Sequence, residues 1–225
     1  MNFRQVSPAF NDVKDSLALE YKDDASNSVV VFGAHLLSFD VFHELKSKHD
    51  KVIVFQLEQI TTSRVKFLDN NYVDWMKSAD EVWDFDKWNI DHLKTIRSDI
   101  KLHLLRPYKV WPESHSKDID ILFYGTPSRR RRRLLNHLKR KYNVCALEGE
   151  FDNLDDYILR SRVLLNIHYY PDSPLQEQAR MIRWIGAPCQ IISEKSANNY
   201  LGVKELEYKE LFDFDFRCIK QGCSV

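Results

Sequence analysis

The sequence has no surplus of positive charge, because its 33 basic side chains are matched by 33 acidic ones. A generic nucleic-acid coat or a polybasic membrane anchor draws on such a surplus, so neutrality argues against both. No apolar run approaches the roughly 20 residues that span a bilayer, and no transmembrane segment is expected. The opening Met-Asn-Phe-Arg-Gln-Val lacks the charged patch and apolar core of a secretory signal, which points to a cytoplasmic protein. Cys145, Cys189, Cys218 and Cys223 form no CxxC pair. They read as small buried hydrophobes of a reducing compartment, since a zinc site needs Cys and His ligands at closer spacing.

Familiar catalytic signatures are missing as well. No GxGxxG follows the first apolar run, and there is no GxxxxGK[ST] and no GxSxG. A dinucleotide fold of the usual kind, a P-loop NTPase and an α/β-hydrolase elbow are therefore disfavoured. No compact Asp-x-Asp closes a strand in the second half, which weakens a metal-chelated diphosphate. Asp84-Phe85-Asp86 has that form but lies in the first half, with a helix and an aromatic run behind it. No metal and no cofactor is expected.

What remains is an ordinary globular composition, 44% apolar and 29% charged over 225 residues. A chain of this size buries roughly 70% of its unfolded surface without disulfide or metal. Four short runs in the first half, Val29 to Phe32, Val52 to Phe55, Glu81 to Trp83 and Leu102 to Leu105, alternate with helical spacing such as Phe39 to Leu45 and Ile90 to Ile96. Continuous apolar runs of that length mark strands covered on both faces, as in parallel sheets. After Arg106 to Pro112 comes a polar connector, Glu113 to Lys117, and the alternation resumes. Strands are predicted at Ile119 to Tyr124, Asn143 to Leu147, Val163 to Ile167 and Gln190 to Ile192; helices at Ser128 to Tyr142, Leu154 to Arg160 and Leu175 to Ile185. The fold class is α/β, with two Rossmann-like halves, 1–112 and 113–225, facing a central cleft.

In such sheets ligands bind beyond the carboxyl ends of the strands. His35 and Glu58 follow strands of the first half; Gly125, Ser128, Arg129, His168, Tyr169 and Glu194 follow strands of the second. Glu58 suits a general base if its surroundings lift its pKa, and His35 competes for that role. Residues in such positions are more often structural than catalytic. Gly125-Thr126-Pro127-Ser128 precedes five arginines, Arg129 to Arg133. Thr126 as N-cap and Pro127 as first helical residue would begin a helix directly after the strand and aim free N–H groups at an anion. Ser128 with Arg129 or Arg130 could then hold a phosphate, while the remaining arginines lie on a solvated face. His168 is either a loop residue or a ligand contact. Glu177 and Arg180, three apart at a helix start, make either a surface ion pair worth under ~1 kcal/mol or a clamp on ribose and phosphate.

Asp120 to Gly125 with its arginine-rich helix, Val163 to Tyr170, Glu177-Gln178-Ala179-Arg180 and Ile191 to Glu194 together resemble the group 1 type of GT-B glycosyltransferases. Phe55 to Gln59 and Ala79 to Asp84 are similar to that family's first-half blocks, so the likeness spans about residues 50 to 195. The Glu-x7-Glu pair of many relatives is not evident. The resemblance implies glycan biosynthesis: transfer of a sugar from a nucleotide-sugar donor to an acceptor hydroxyl on a glycan or glycoconjugate, without metal. It implies that 113–225 holds the donor, with Gly125, Ser128 and Arg129 facing the diphosphate and His168 and Tyr169 bordering sugar or nucleotide. Glu177 would accept the ribose hydroxyls, Arg180 would steady the leaving phosphate, and Glu58 or His35 from the acceptor side, 1–112, would serve as base. The competing expectations are a non-catalytic nucleotide- or sugar-binding module and a nucleotide-sugar epimerase-like enzyme.

Overall fold

A computed structural model describes residues 1–5, 7–60, 70–113, 116–149, 153–172 and 175–217. Among the described residues there are two parallel five-stranded sheets with helices packed on them, an α/β architecture. No helix among them is long and apolar enough to cross a membrane. The chain forms two compact units, Met1–Tyr108 with Gln178–Ile182, and Lys109–Glu177 with Arg183–Val225.

In the first unit β1 (Asn2–Gln5), β2 (Ser28–Phe32), β3 (Lys51–Gln56), β4 (Glu81–Asp84) and β5 (Lys101–Leu102) lie in chain order, each parallel to the next. Side chains alternate between the faces of a strand. Val29, Val31, Val52, Val54 and Val82 pack with Phe42, Leu45, Trp75 and Met76 of the helices Phe39–Lys48 and Asn70–Ser78. Phe32, Phe55 and Trp83, out of phase with those valines, carry an aromatic layer on the opposite face. Phe3 stacks on Phe32 at 6.2 Å and His103 on Trp83 at 4.5 Å, between ring centroids. Phe10 and Tyr21 flank the Asn11–Glu20 helix and pack on Phe32 and Trp83, so that helix covers the aromatic layer, with Val13 and Leu17 fully buried. Apolar cover on both sides is the reason these strands read as unbroken hydrophobic runs.

The second sheet has the order β10 (Lys204–Leu206), β9 (Gln190–Glu194), β8 (Ser161–Asn166), β6 (Ile119–Tyr124), β7 (Val144–Leu147), all parallel. Ile121 and Phe123 face Leu134, Leu135 and Leu138 of the Arg129–Leu138 helix, together with Leu211 and Phe216. Tyr124, out of phase with them, meets Trp184, whose Nε1 donates to the Tyr124 hydroxyl at 2.6 Å. The chain leaves β6 for β7 on one side and returns to β8 on the other. This reversal is the doubly wound pattern that opens a crevice at the carboxyl ends of β6 and β8. Among the described residues the first sheet has no reversal, so the two units are not repeats of one topology.

Several expectations need correcting. The fourth strand, expected over Leu102 to Leu105, pairs only at Lys101 and Leu102, because its one neighbour β4 ends at Asp84. Leu102 and Leu104 are exposed at this edge. The helix expected from Ile90 begins at Lys87, since Asp86 caps it by accepting from the Trp88 N–H at 2.8 Å. β1, the Asn11–Glu20 and Asn70–Ser78 helices, β10 and the Glu210–Asp213 helix are additional elements. Cys145 and Cys189 are free and only partly buried; burial lifts both thiols, that of Cys189 to about 12. Cys218 and Cys223 lie outside the described residues.

Glu81 opens β4 between the starts of β3 and β5. It pairs with Lys51, with Lys101 at 2.8 Å, and accepts from Trp83 Nε1 at 2.9 Å. Burial alone would raise its pKa, but hydrogen bonds from Lys101, Lys51 and Trp83 outweigh burial and bring it from 4.5 to about 2. A depressed carboxylate stabilises the fold above its unfolded pKa, and that contribution is lost as pH falls through the folded one. Glu81→Gln should therefore destabilise the protein by about 1 kcal/mol at neutral pH. The deficit should shrink between pH 4.5 and about 2, a trend readable from urea melts across that range.

Candidate functional site

The switch point of the second sheet is built from residues that directly follow β6, β8 and β9. After Tyr124 the chain turns at Gly125, whose φ of 140° is a conformation reserved for glycine. The helix that follows is capped by Ser128, not Thr126: the Ser128 side chain accepts from the Arg131 N–H at 3.2 Å, and Arg129 is the first helical residue. The first-turn N–H groups of Arg129 and Arg130 have no carbonyl partner inside the helix.

The arginine run divides by helical phase. Arg131 shares the inward stripe with Leu134, Leu135 and Leu138 and is 3% exposed. Its Nε donates to the Ile167 carbonyl at 2.8 Å, one Nη to the Thr126 carbonyl at 2.8 Å, and the other to Glu177 Oε1 at 2.6 Å. The guanidinium lies 5.2 Å from the Tyr169 ring and 5.4 Å from the Phe123 ring. Arg130 makes a two-pronged pair with Glu194, one prong at 2.5 Å, and its guanidinium stacks 3.6 Å over Tyr208. Glu194, the last residue of β9, also accepts from the His168 N–H at 3.0 Å, while Arg130 donates to the His168 carbonyl at 3.2 Å. Arg130, expected to be available to a phosphate, is thus engaged by Glu194. Arg129 is exposed and carries no ion pair among the described residues.

The helix expected from Leu175 starts only at Gln178, runs to Met181 and continues as a 3-10 turn, Ile182–Trp184. The stretch before it is held in another conformation by its own side chains. Gln176 is fully buried, donates to Asn199 at 2.9 Å and accepts from the Leu201 N–H at 3.0 Å, and Glu177 is held by Arg131. Glu177 and Arg180 therefore do not share a helix face. Glu177 belongs to the second unit and Arg180 to the first. His168 is 2% exposed, its ring beside Glu194 and Ser196, whereas Tyr169 is half-buried beside Arg131. Sequence reasoning passed over Arg131 and the partner role of Glu194. The inward phase set by the three leucines was the signal that singled out Arg131.

In the first unit, His35 Nε2 and Glu58 Oε1 lie 3.4 Å apart, both partly exposed, at the carboxyl edge of β2 and β3. Gly33, with φ of 72°, starts the short turn that carries His35. A buried polar network holds the Glu58 backbone: its N–H donates to Gln56 Oε1 at 2.6 Å, and its carbonyl accepts from Gln56 at 2.8 Å and Asn89 at 2.9 Å. Asp84 accepts from Gln56 at 3.0 Å, Asn89 at 3.2 Å and the Asp86 N–H at 2.9 Å. Burial pushes the Asp84 carboxyl well above the ordinary carboxylate range, against these three donors. The Asp84-Phe85-Asp86 motif thus serves loop anchoring through Asp84 and helix capping through Asp86.

No protein-family profile matches the chain. It is similar to three uncharacterized proteins of Acanthamoeba polyphaga mimivirus. L137 is 35% identical over 103 residues, 44% of this chain and 14% of that protein. L138 is 36% identical over 84 residues, 36% of this chain and 9% of that protein. L140 is 22% identical over 213 residues, 86% of this chain and 66% of that protein. The chain thus matches only a small part of L137 and L138.

The Arg131–Glu177 pair is buried, with side chains 3% and 13% exposed. Removing one member of such a pair strands the other charge, so Glu177→Ala should cost about 3–5 kcal/mol of stability, against under ~1 kcal/mol for a surface pair. Urea unfolding of the variant decides between the two.

Proposed function

We propose that this chain is a glycosyltransferase that takes a sugar from a nucleotide-sugar donor, with the nucleotide diphosphate held by the second unit. The observation that carries the reading is the β6 turn: a glycine at φ 140°, a serine-capped helix and an Arg129 with no ion pair among the described residues, all at a topological switch point. The resemblance to group 1 GT-B enzymes through Gly125, His168, Glu177 and Glu194 supports it.

In the reaction the bond between the anomeric carbon and the diphosphate oxygen breaks, and the acceptor hydroxyl oxygen takes its place on that carbon. The leaving nucleoside diphosphate gains negative charge. Arg129 and the first-turn N–H groups stabilise that charge by fixed dipoles and a cation, which needs no metal. Arg130 and Arg131 act differently from the first expectation: their charge is spent on Glu194 and Glu177, and they position the loops. Tyr169 borders the nucleotide, and Glu177, oriented by Arg131, is the acceptor for ribose hydroxyls, whereas Arg180, in the other unit and off the face of Glu177, loses the spacing argument for its phosphate role. The acceptor proton passes to a base, for which the His35–Glu58 pair on its rigid loop is the candidate. The acceptor is a hydroxyl of a glycan or glycoconjugate.

The test is a screen of nucleotide sugars by calorimetry and by release of free nucleoside diphosphate in excess chelator. Binding and release that survive the chelator are expected. Binding without release or transfer would favour a non-catalytic module, and sugar interconversion without release would favour an epimerase. Arg129→Ala should weaken nucleoside-diphosphate binding by about 1.5–3 kcal/mol, the scale of a hydrogen bond to a charged group, and leave the melting temperature unchanged.

A further inference from the structure

The chain sums to zero charge, but the fold does not spread that charge evenly. Between Thr126 and Asn143 the sequence holds eight arginines and lysines and no acidic residue. Arg130 and Arg131 turn inward to Glu194 and Glu177. The other six, Arg129, Arg132, Arg133, Lys139, Arg140 and Lys141, are exposed. None of the six pairs with a carboxylate among the described residues. Because Arg131, Leu134, Leu135 and Leu138 occupy the inner side of the Arg129–Leu138 helix, the six cations share its outer side and the turn that follows. The short helix Glu210–Asp213 packs beside them through Phe212, which meets His137 at 5.1 Å, and the Glu210 carboxylate accepts from the Glu207 N–H.

We propose that this face is a docking surface for an anionic lipid membrane. Like charges three or four apart on a helix repel, and cations in its first turn oppose the dipole. Both costs are relieved by an array of external anions. The face is the outer side of a helix packed against a sheet, so it meets a flat layer of headgroups without a groove. Tyr142 at its end is 9% exposed, and Phe212 is half-buried between His137 and the Arg133 guanidinium, so no fully exposed ring stands on this face for base stacking, which disfavours single-stranded nucleic acid. No apolar side chain is exposed on it either, so attachment is electrostatic, peripheral and salt-sensitive. Overall neutrality, which argued against a membrane anchor, is a sum that conceals this segregation. Arg129 also serves the transfer reading, and the other five cations carry this inference without it.

The experiment is flotation of the full chain with vesicles of phosphatidylcholine alone and of phosphatidylcholine mixed equally with phosphatidylserine, at low and high salt. The parent should bind the mixed vesicles at low salt, release them at high salt and ignore the neutral ones. Arg132→Gln should weaken binding about five-fold, and the triple variant Arg132→Gln, Lys139→Gln, Arg140→Gln by about 100-fold, with melting temperature unchanged. The single variant keeps the test decisive if the triple variant fails to fold. No retention on mixed vesicles, equal retention on neutral ones, or a single variant that binds like the parent would overturn the proposal. Release of the chain from mixed vesicles by duplex DNA or RNA of equal phosphate content would reassign the face to nucleic acid and overturn it as well.

Discussion

One buried and one half-buried arginine at the carboxyl edge of the second sheet, Arg131 and Arg130, are the constraint on which the candidate site depends. The segments after β6 and β8 have no ladder to hold them, and the stretch from His168 to Glu177 includes no helix among its described residues. A guanidinium offers five donors in a fixed fork and no acceptor, so burying it demands both carbonyls and a carboxylate around it. Arg131 finds these in Thr126, Ile167 and Glu177, and thereby ties the turn after β6 to the loop after β8. Arg130 does the same for β9 and His168 through Glu194. Among the described residues, Arg130 and Arg131 are neutralised by Glu194 and Glu177, while Arg129 beside them is exposed and carries no ion pair.

The first unit solves the same problem with mostly uncharged groups. Gln56 and Asn89 are amides, which donate and accept at once, and between them they clamp both peptide groups of Glu58. Tyr72 donates to Gln56 at 3.1 Å, and Asp84 closes the network from below. A backbone fixed on both sides gives the Glu58 side chain a defined origin opposite His35, and the proposed role as base relies on that preorganisation.

Much of the fold was legible because a doubly covered parallel strand leaves an unbroken apolar run, as at Val29 to Phe32 or Ile121 to Tyr124. β1 was hidden because an edge strand alternates: Phe3 reaches the aromatic layer while Asn2 and Arg4 are exposed. The helix predicted over Leu175 to Ile185 failed at its start because apolar spacing says nothing of long-range partners. Gln176 answers to Asn199 and Glu177 to Arg131, both distant in sequence. The arginine run misled for a related reason. Five identical side chains carry no individual signal, and only the leucines downstream fix which of them points inward. Glu194 was visible as a residue just past a strand, but its partner Arg130 is 64 positions away.

A double-mutant cycle on Arg131 and Glu177, with Arg131→Met, Glu177→Leu and the pair combined, measures the central constraint. If the ion pair fixes this edge, each single variant strands a buried charge or its partner loop, and the combined variant should be more stable than the two losses added, by at least about 2 kcal/mol of coupling. Losses that add to within about 0.5 kcal/mol would mean that the two side chains do not depend on each other, and would contradict the account.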